Sequence, residues 1–141
     1  MNRIVLDTNV VLDYLSTRRP CHQEAVDLLY YCFEEGECEP VMPNSCIKDA
    51  YFILYRQYHN EPVIRARLDD FRRVVTCEPL SNEVLDAAFS SDEPDFEDGI
   101  VRATAELLGA TAIITRDSEA YRGSKVPAMT AREYLMKFAD F

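Results

Sequence analysis

The 141-residue chain has little of several features that mark large classes of proteins. Its four glycines form no loop that could cradle a nucleotide phosphate. Its five cysteines are odd in number and contain no C-x-x-C pair, and its two histidines have no ligand-like neighbours. No apolar run is long enough to cross a bilayer. These deficits argue against a nucleotide-loop enzyme, a disulfide framework, a structural zinc site and a membrane span.

Basic residues are also in deficit. Fifteen Lys and Arg stand against twenty-five Asp and Glu, so the formal net charge is −10. Nucleic-acid-binding proteins usually present a basic face. Any affinity for nucleic acid must therefore be local here, and part of it would act through a bound metal. The acidic balance fits a basic protein partner at least as well.

The size of the chain predicts one domain over residues 1–141 with room for one hydrophobic core. Hydrophobic residues make up 48% of the sequence, which argues against disorder. The chain opens directly into a strand-like run, without the pattern of a signal peptide. We therefore expect a cytoplasmic protein that does not associate with membranes.

Short apolar runs alternate with segments of helical periodicity along the chain. The pattern predicts strands at 3–6, 39–42, 74–77, 112–114 and, as a short fifth strand, 125–127. Helices are predicted between these strands, and a capping box at Thr130 and Glu133 starts the last one. Alternation of this kind predicts an α/β fold with a mostly parallel sheet of four to five strands, covered on both faces.

Four aspartates are placed where such a fold would bring them together. Asp7 ends the first apolar run and Asp117 ends the fourth, so both lie at the carboxyl ends of predicted parallel strands, where ligands bind. Asp95 and Asp98 are one helical turn apart at the start of the preceding helix. Buried carboxylates need partners, and oxygen ligands suit a hard divalent cation. The pattern predicts a Mg²⁺ or Mn²⁺ site for phosphoryl chemistry.

Each of these residues also has an ordinary structural explanation. Asp7 is well suited to cap the helix that follows it, and Asp117 to end a strand in a turn. Asp49 lies in an apolar helical segment, either on its solvated face or pointing inward as a functional group. In the functional interpretation, Asn9 would hold the Asp7 carboxylate in place, and Thr115 would orient Asp117 or a water.

Three segments together resemble the PIN-domain ribonucleases. Residues 4–10, with the sequence IVLDTNV, look like the opening strand and turn of that family. Residues 95–117 look like its second signature, and residues 126–135 resemble the closing strand and helix of one subgroup. The segments occur in the family's order and cover essentially the whole chain.

This resemblance implies a three-layer α/β/α sandwich and a metal-dependent endoribonuclease, often the toxin of a toxin–antitoxin pair. It also implies Mg²⁺ or Mn²⁺ as cofactor, RNA as substrate, a basic antitoxin as partner and possible homodimers. When the acidic site of that family is transferred by position, the implied catalytic residues are Asp7, Asp49, Asp98 and Asp117. The implied metal ligands are Asp7, Asp98, Asp117 and, as an extra carboxylate, Asp95, while Asn9 and Thr115 fall on supporting positions. Asp49 stands where many members have Glu, and Asp117 where the similar subgroup often has Asn.

Two other functions stay open on the sequence. A PIN-like fold that holds metal too weakly for catalysis would be an RNA- or protein-binding module. An aspartyl nucleophile at Asp7 would make a phosphoryl-transfer enzyme. That chemistry needs a lysine after a later strand, and Lys125 is the only lysine between Asp49 and the final helix. The sequence therefore favours metal-dependent hydrolysis of RNA.

Overall fold

The structure is a computed structural model that describes residues 2–139 of the chain. Its central sheet has five strands, all parallel, in the order β3-β2-β1-β4-β5. The strands are β1 (Asn2–Leu6), β2 (Cys38–Pro43), β3 (Thr76–Glu78), β4 (Ala112–Ile114) and β5 (Ala128–Met129). The order places β1 at the centre of the sheet, directly beside β4.

Seven α-helices connect and cover the strands within the described residues. They are α1 (Thr8–Leu15), α2 (His22–Glu35), α3 (Ser45–Tyr58), α4 (Glu61–Val74), α5 (Asn82–Ser90), α6 (Phe96–Leu108) and α7 (Ala131–Phe138). A short 3-10 helix, Ser118–Tyr121, follows β4. None of the helices in residues 2–139 is both long enough and apolar enough to span a lipid bilayer.

Side chains of β1 point alternately to the two faces of the sheet, as the strand period requires. Ile4 and Leu6 pack into the larger core, which is built with α1, α2, α3, α4 and α7. Val5 points the other way and packs against Val101 of α6. Helices therefore cover both faces, and the predicted three-layer α/β/α sandwich with a parallel sheet is confirmed.

Two predicted strands lie later in the chain than the sequence pattern indicated. β3 begins at Thr76 because α4 continues through Val74, and the Val75 amide donates to the Phe71 carbonyl. β5 begins at Ala128 because the Val126 amide donates to the Ser124 hydroxyl, and the following proline has no amide hydrogen to offer. In both places, local hydrogen bonding overrides the preference of valine for strands.

Two helices end at glycines, and the last helix begins at the predicted capping box. Gly36 and Gly109 follow α2 and α6 with φ of 68° and 63°, a left-handed conformation that glycine adopts without steric cost. Thr130 and Glu133 form the predicted capping box at the start of α7.

Candidate active site

The carboxyl ends of β1 and β4 bring Asp7 and Thr115 together. The Asp7 amide donates to the Ile114 carbonyl at 3.0 Å, which continues the pairing of the two strands. The Thr115 hydroxyl, which is fully buried, donates to Asp7 Oδ2 at 2.9 Å. Asp7 Oδ1 accepts from the Thr8 amide at 2.7 Å at the start of α1. Asp7 thus both caps a helix and presents a buried carboxylate at the edge of the sheet.

Tyr121 links Asp7 to Asp98. Its hydroxyl donates to Asp7 Oδ2 at 2.8 Å and lies 3.3 Å from Asp98 Oδ1. A phenol has one proton and donates it to one acceptor at a time, and the shorter distance indicates Asp7. Tyr121 is buried at the end of the 3-10 helix. The carboxylates from β1 and α6 therefore meet at a single hydroxyl group.

Burial and neighbouring charge make ionisation of Asp98 costly. Burial, followed by the charges of Asp7 and Asp95, raises the pKa of Asp98 to about 6. Burial and the charges of Asp7 and Asp98 raise the pKa of Tyr121, so its hydroxyl stays a neutral donor. The charge of Asp49, then burial, raises the pKa of Glu97. Because the negative charges of these carboxylates repel one another, the cavity favours binding of a cation.

One cavity of about 640 Å³ is lined by all four predicted catalytic residues. Its acidic lining residues are Asp7, Asp49, Glu97, Asp98 and Asp117, and its basic lining residues are Arg19 and Lys48. A larger depression of about 900 Å³ lies between α3 and α4. The smaller cavity is the candidate active site because it contains the buried Asp7 carboxylate and lies at the carboxyl ends of the strands.

Asp95 occupies a different place from the other predicted ligands. It caps α6, where its Oδ1 accepts from the Asp98 amide at 3.1 Å. It lines a neighbouring depression, which it shares with Asp98 and Arg102, and not the cavity around Asp7. Metal ligation by Asp95 stays a prediction, while its capping role is visible in the structure.

Asn9 is linked to Asp7 through Thr115, and its predicted role in holding the Asp7 carboxylate stays a prediction. Its Nδ2 donates to the Thr115 hydroxyl oxygen at 3.3 Å, and its Oδ1 accepts from the Arg116 amide at 3.2 Å. The Asp117 amide also donates to the Thr115 hydroxyl, at 3.0 Å. Thr115 is thus the centre of a polar network that fixes the start of the β4 turn relative to Asp7.

Sequence reasoning missed Tyr121, Glu97 and the buried Asp13 of α1. Tyr121 is the only aromatic residue in the polar stretch 116–125, and an isolated aromatic of this kind is a signal for burial. Glu97 differs from its acidic neighbours only in where it faces, which the sequence does not show. Asp13 interrupts an apolar helical segment, and a charge in such a place needs a buried partner.

The donor chemistry of the cavity fits a hard divalent cation. Its acidic side chains supply only oxygen ligands, which Mg²⁺ and Mn²⁺ prefer. Burial, and then the charges of Asp7 and Asp95, raise the pKa of Asp98, and bound positive charge would stabilise its ionised form. Within residues 2–139, no three Asp, Glu, His or Cys side chains already stand together as a metal-binding group. At the predicted cation site, the structure thus shows two carboxylates, those of Asp7 and Asp98, joined through the Tyr121 hydroxyl. Further acidic side chains line the same cavity.

Stability of the metal-free protein should fall as pH rises. The pKa of Asp98 is higher in the folded chain than the ordinary value of 3.8. Folding is therefore favoured below that ordinary value, and the advantage is lost as pH rises through about 6. In chelator, we expect wild type to lose about 1–2 kcal/mol relative to Asp98→Asn between about pH 4 and pH 7. Thermal melts across this range measure the difference.

The exposed Asp86 of α5 provides the control for this pH effect. Asp86→Asn removes the same charge outside the cavity, so its stability should follow the wild-type curve at every pH. Parallel curves for wild type and Asp98→Asn would show that the Asp98 carboxyl is not held under repulsion.

Comparison with models of known protein families identifies the family of this chain. The family model for the PIN domain matches residues 3–119, so the protein belongs to the PIN-domain family. This confirms the resemblance seen in the sequence. No curated protein sequence matches the chain.

Three solved structures share the fold. VapC20 of Mycobacterium tuberculosis, described as a sarcin–ricin loop cleaving toxin, is 16% identical over 85% of this chain and 94% of its own, with a TM-score of 0.67. A toxin–antitoxin complex from Klebsiella pneumoniae is 20% identical over 91% and 97%, with a TM-score of 0.65. VapBC2 from Rickettsia felis, bound to a DNA fragment from its promoter, is 9% identical over 91% and 98%, with a TM-score of 0.66. At these identities, the likeness shows the common fold.

Proposed function

We propose that this protein is a metal-dependent endoribonuclease that hydrolyses phosphodiester bonds in RNA. The main support is the pair of carboxylates, Asp7 and Asp98, that meet at the Tyr121 hydroxyl in an acidic cavity at the carboxyl edge of a PIN-domain sheet. Membership of the PIN family supports the same reaction. The proposal treats residues 1–141 as one PIN domain acting in the cytoplasm.

In this proposal Asp7 and Asp98 hold the cation, with Asp49 and Asp117 as further acidic groups of the same cavity. A bound Mg²⁺ or Mn²⁺ would lower the pKa of a water and offset negative charge at the scissile phosphate. Thr115 and Tyr121 donate to Asp7 Oδ2, and the two hydrogen bonds fix the orientation of the carboxylate.

The same proposal makes the protein the toxin of a toxin–antitoxin pair. Among the similar structures, one is a toxin–antitoxin complex and another is a toxin that cleaves the sarcin–ricin loop. The net charge of −10 favours association with a basic antitoxin. Self-association into a homodimer also belongs to this proposal.

The test is cleavage of a mixed pool of structured and unstructured RNAs with Mn²⁺, with Mg²⁺ and with chelator. We expect wild type to cut RNA with either metal but not with chelator. Asp98→Asn should lower the rate about 10²-fold or more because it removes a carboxylate that holds the cation in this proposal. Asp86→Asn, which changes an exposed aspartate of α5, should cut at the wild-type rate.

Melting temperatures distinguish a metal-dependent nuclease from a binding module that holds metal only weakly. Divalent metal should raise the melting temperature of wild type and of Asp86→Asn, and raise that of Asp98→Asn much less. Absence of cleavage by wild type, together with no rise in its melting temperature, would overturn the nuclease. The remaining function would then be the catalytically weak RNA- or protein-binding module.

A further inference from the structure

Asp13 of α1 binds two arginines that are far apart in the sequence. Its Oδ1 accepts from Arg19 Nε at 2.8 Å, and its Oδ2 accepts from Arg116 Nε at 2.7 Å. The Asp13 side chain is only 3% exposed, whereas the side chains of Arg19 and Arg116 are 20% and 40% exposed. A buried carboxylate thus holds two guanidinium groups that reach the surface.

The charges of this group do not cancel. One carboxylate faces two guanidiniums, and among residues 2–139 neither arginine forms an ion pair with a second acid. Arg102 shows the contrasting case, because it pairs with Asp92, Glu93 and Glu106. The group around Asp13 therefore carries a net positive charge in a protein whose total charge is strongly negative.

The two arginines also keep most of their hydrogen-bond donors. A guanidinium has five N–H groups, and the hydrogen bond of each arginine to Asp13 runs from Nε to a different carboxylate oxygen. Within the described part of the chain, neither guanidinium donates to a residue other than Asp13. Because Asp13 holds each guanidinium in place, little side-chain entropy remains to be lost when an anion binds.

The position of the two arginines beside the acidic cavity indicates which kind of anion they would bind. Arg19 lines the same cavity as Asp7, Asp98 and Asp117. Arg116 immediately precedes Asp117, and its amide donates to Asn9. An RNA strand that places one phosphate at the acidic residues must carry further phosphates beside them. The negative net charge of the protein would repel such a strand unless basic side chains lay beside the cavity.

We propose that Arg19 and Arg116, held by Asp13, form a phosphate-binding subsite for the RNA strand at the border of the acidic cavity. This inference rests on the proposed ribonuclease function and adds residues that bind the RNA substrate beside the acidic cavity. Arg19 and Arg116 contact phosphate oxygens through their Nη groups, and Asp13 is a positioning residue. Arginine suits this role because its planar fork of donors matches two phosphate oxygens.

The experiment measures binding of a fluorescent single-stranded RNA over a range of salt concentrations. All variants are made in the Asp98→Asn background, which keeps the RNA intact. Arg19→Gln and Arg116→Gln should each weaken binding about tenfold. Each should also reduce the slope of log K against log salt by about 0.7, the value for one phosphate contact on a single strand. A merely structural arginine would leave this slope unchanged.

Two sets of variants serve as controls. Arg73→Gln removes a 66% exposed arginine of α4 that pairs with Asp69, and it should leave both the affinity and the slope unchanged. Arg19→Lys and Arg116→Lys keep the charge, so the salt slope should return to the starting value. Each single Gln variant leaves Asp13 one arginine partner, so we expect the fold to persist, as thermal melts would verify.

Cleavage by the otherwise wild-type chain separates this inference from the function on which it rests. With metal present, Arg19→Gln and Arg116→Gln should raise KM and leave kcat nearly unchanged. If wild type cuts RNA but both variants match Arg73→Gln, the subsite is wrong and the nuclease stands. If the variants instead lose binding of an acidic polypeptide while RNA binding is unaffected, the subsite takes protein and not RNA. If wild type neither binds nor cuts RNA, the function and the subsite fail together.

Discussion

Asp7→Asn should abolish cleavage and weaken the fold, although the side chain hardly changes in size. The Asp7 carboxylate accepts from the Thr8 amide, the Thr115 hydroxyl and the Tyr121 hydroxyl. An asparagine amide group turned toward either hydroxyl offers a donor where an acceptor is needed. We expect a loss of about 2 kcal/mol in the free energy of unfolding, because buried donors lose their acceptor. RNA cleavage should fall about 10³-fold with the loss of the buried charge.

Denaturant unfolding and single-turnover cleavage measure these two effects of Asp7→Asn. Asp70→Asn, an exposed change on α4, is the matched control and should behave as wild type in both. Unchanged cleavage by a stable Asp7→Asn protein would remove Asp7 from the active site. Normal stability with lost cleavage would mean that the amide has found acceptors by rotating within the site.

Asp13→Asn is expected to cause the second large effect, on stability. The change leaves Arg19 and Arg116 without the buried carboxylate that both arginines bind. Removing one partner from a buried ion pair typically costs several kcal/mol, since the remaining charge is uncompensated. These arginines reach solvent in part, so we expect a loss of about 3 kcal/mol and a fall in melting temperature of about 9 °C.

Asp69 of α4 provides an unusually close control for Asp13→Asn, because it also binds two arginines, Arg72 and Arg73. Its side chain is 40% exposed, whereas that of Asp13 is 3% exposed. Asp69→Asn should barely change the melting temperature, because exposed ion pairs contribute little. Equal effects of the two substitutions in thermal melts would show that burial of Asp13 is not what makes its ion pairs important.

The sequence predicted the fold well because its signals are local. Apolar runs alternate with helical segments, and glycines and a capping box mark the helix ends. A parallel sheet then requires the residues that follow β1 and β4, such as Asp7 and Thr115, to meet at one edge. The boundary of β3 was missed because helical hydrogen bonding continues to the Val75 amide, which extends α4 through Val74 against the strand preference of valine.

The parts of the site that the sequence did not predict depend on contacts between distant segments. The Tyr121 hydroxyl reaches Asp7 across 114 positions of the sequence, and Arg116 reaches Asp13 across 103. No periodicity or local motif encodes such pairs. They arise only when the turn after β4 is placed beside α1. A charged residue in an apolar helix, such as Asp13, shows that a partner exists but not which one.

The separation between Asp7 and its hydroxyl donors has a consequence during synthesis. Asp7 emerges from the ribosome 108 residues before Thr115 and 114 residues before Tyr121. Domains acquire their packing as segments become available, N-terminal segments first. Asp7 stays without Thr115 and Tyr121 until both have left the exit tunnel. A nascent chain thus cannot complete this group of side chains until the turn after β4 has been translated and released from the tunnel.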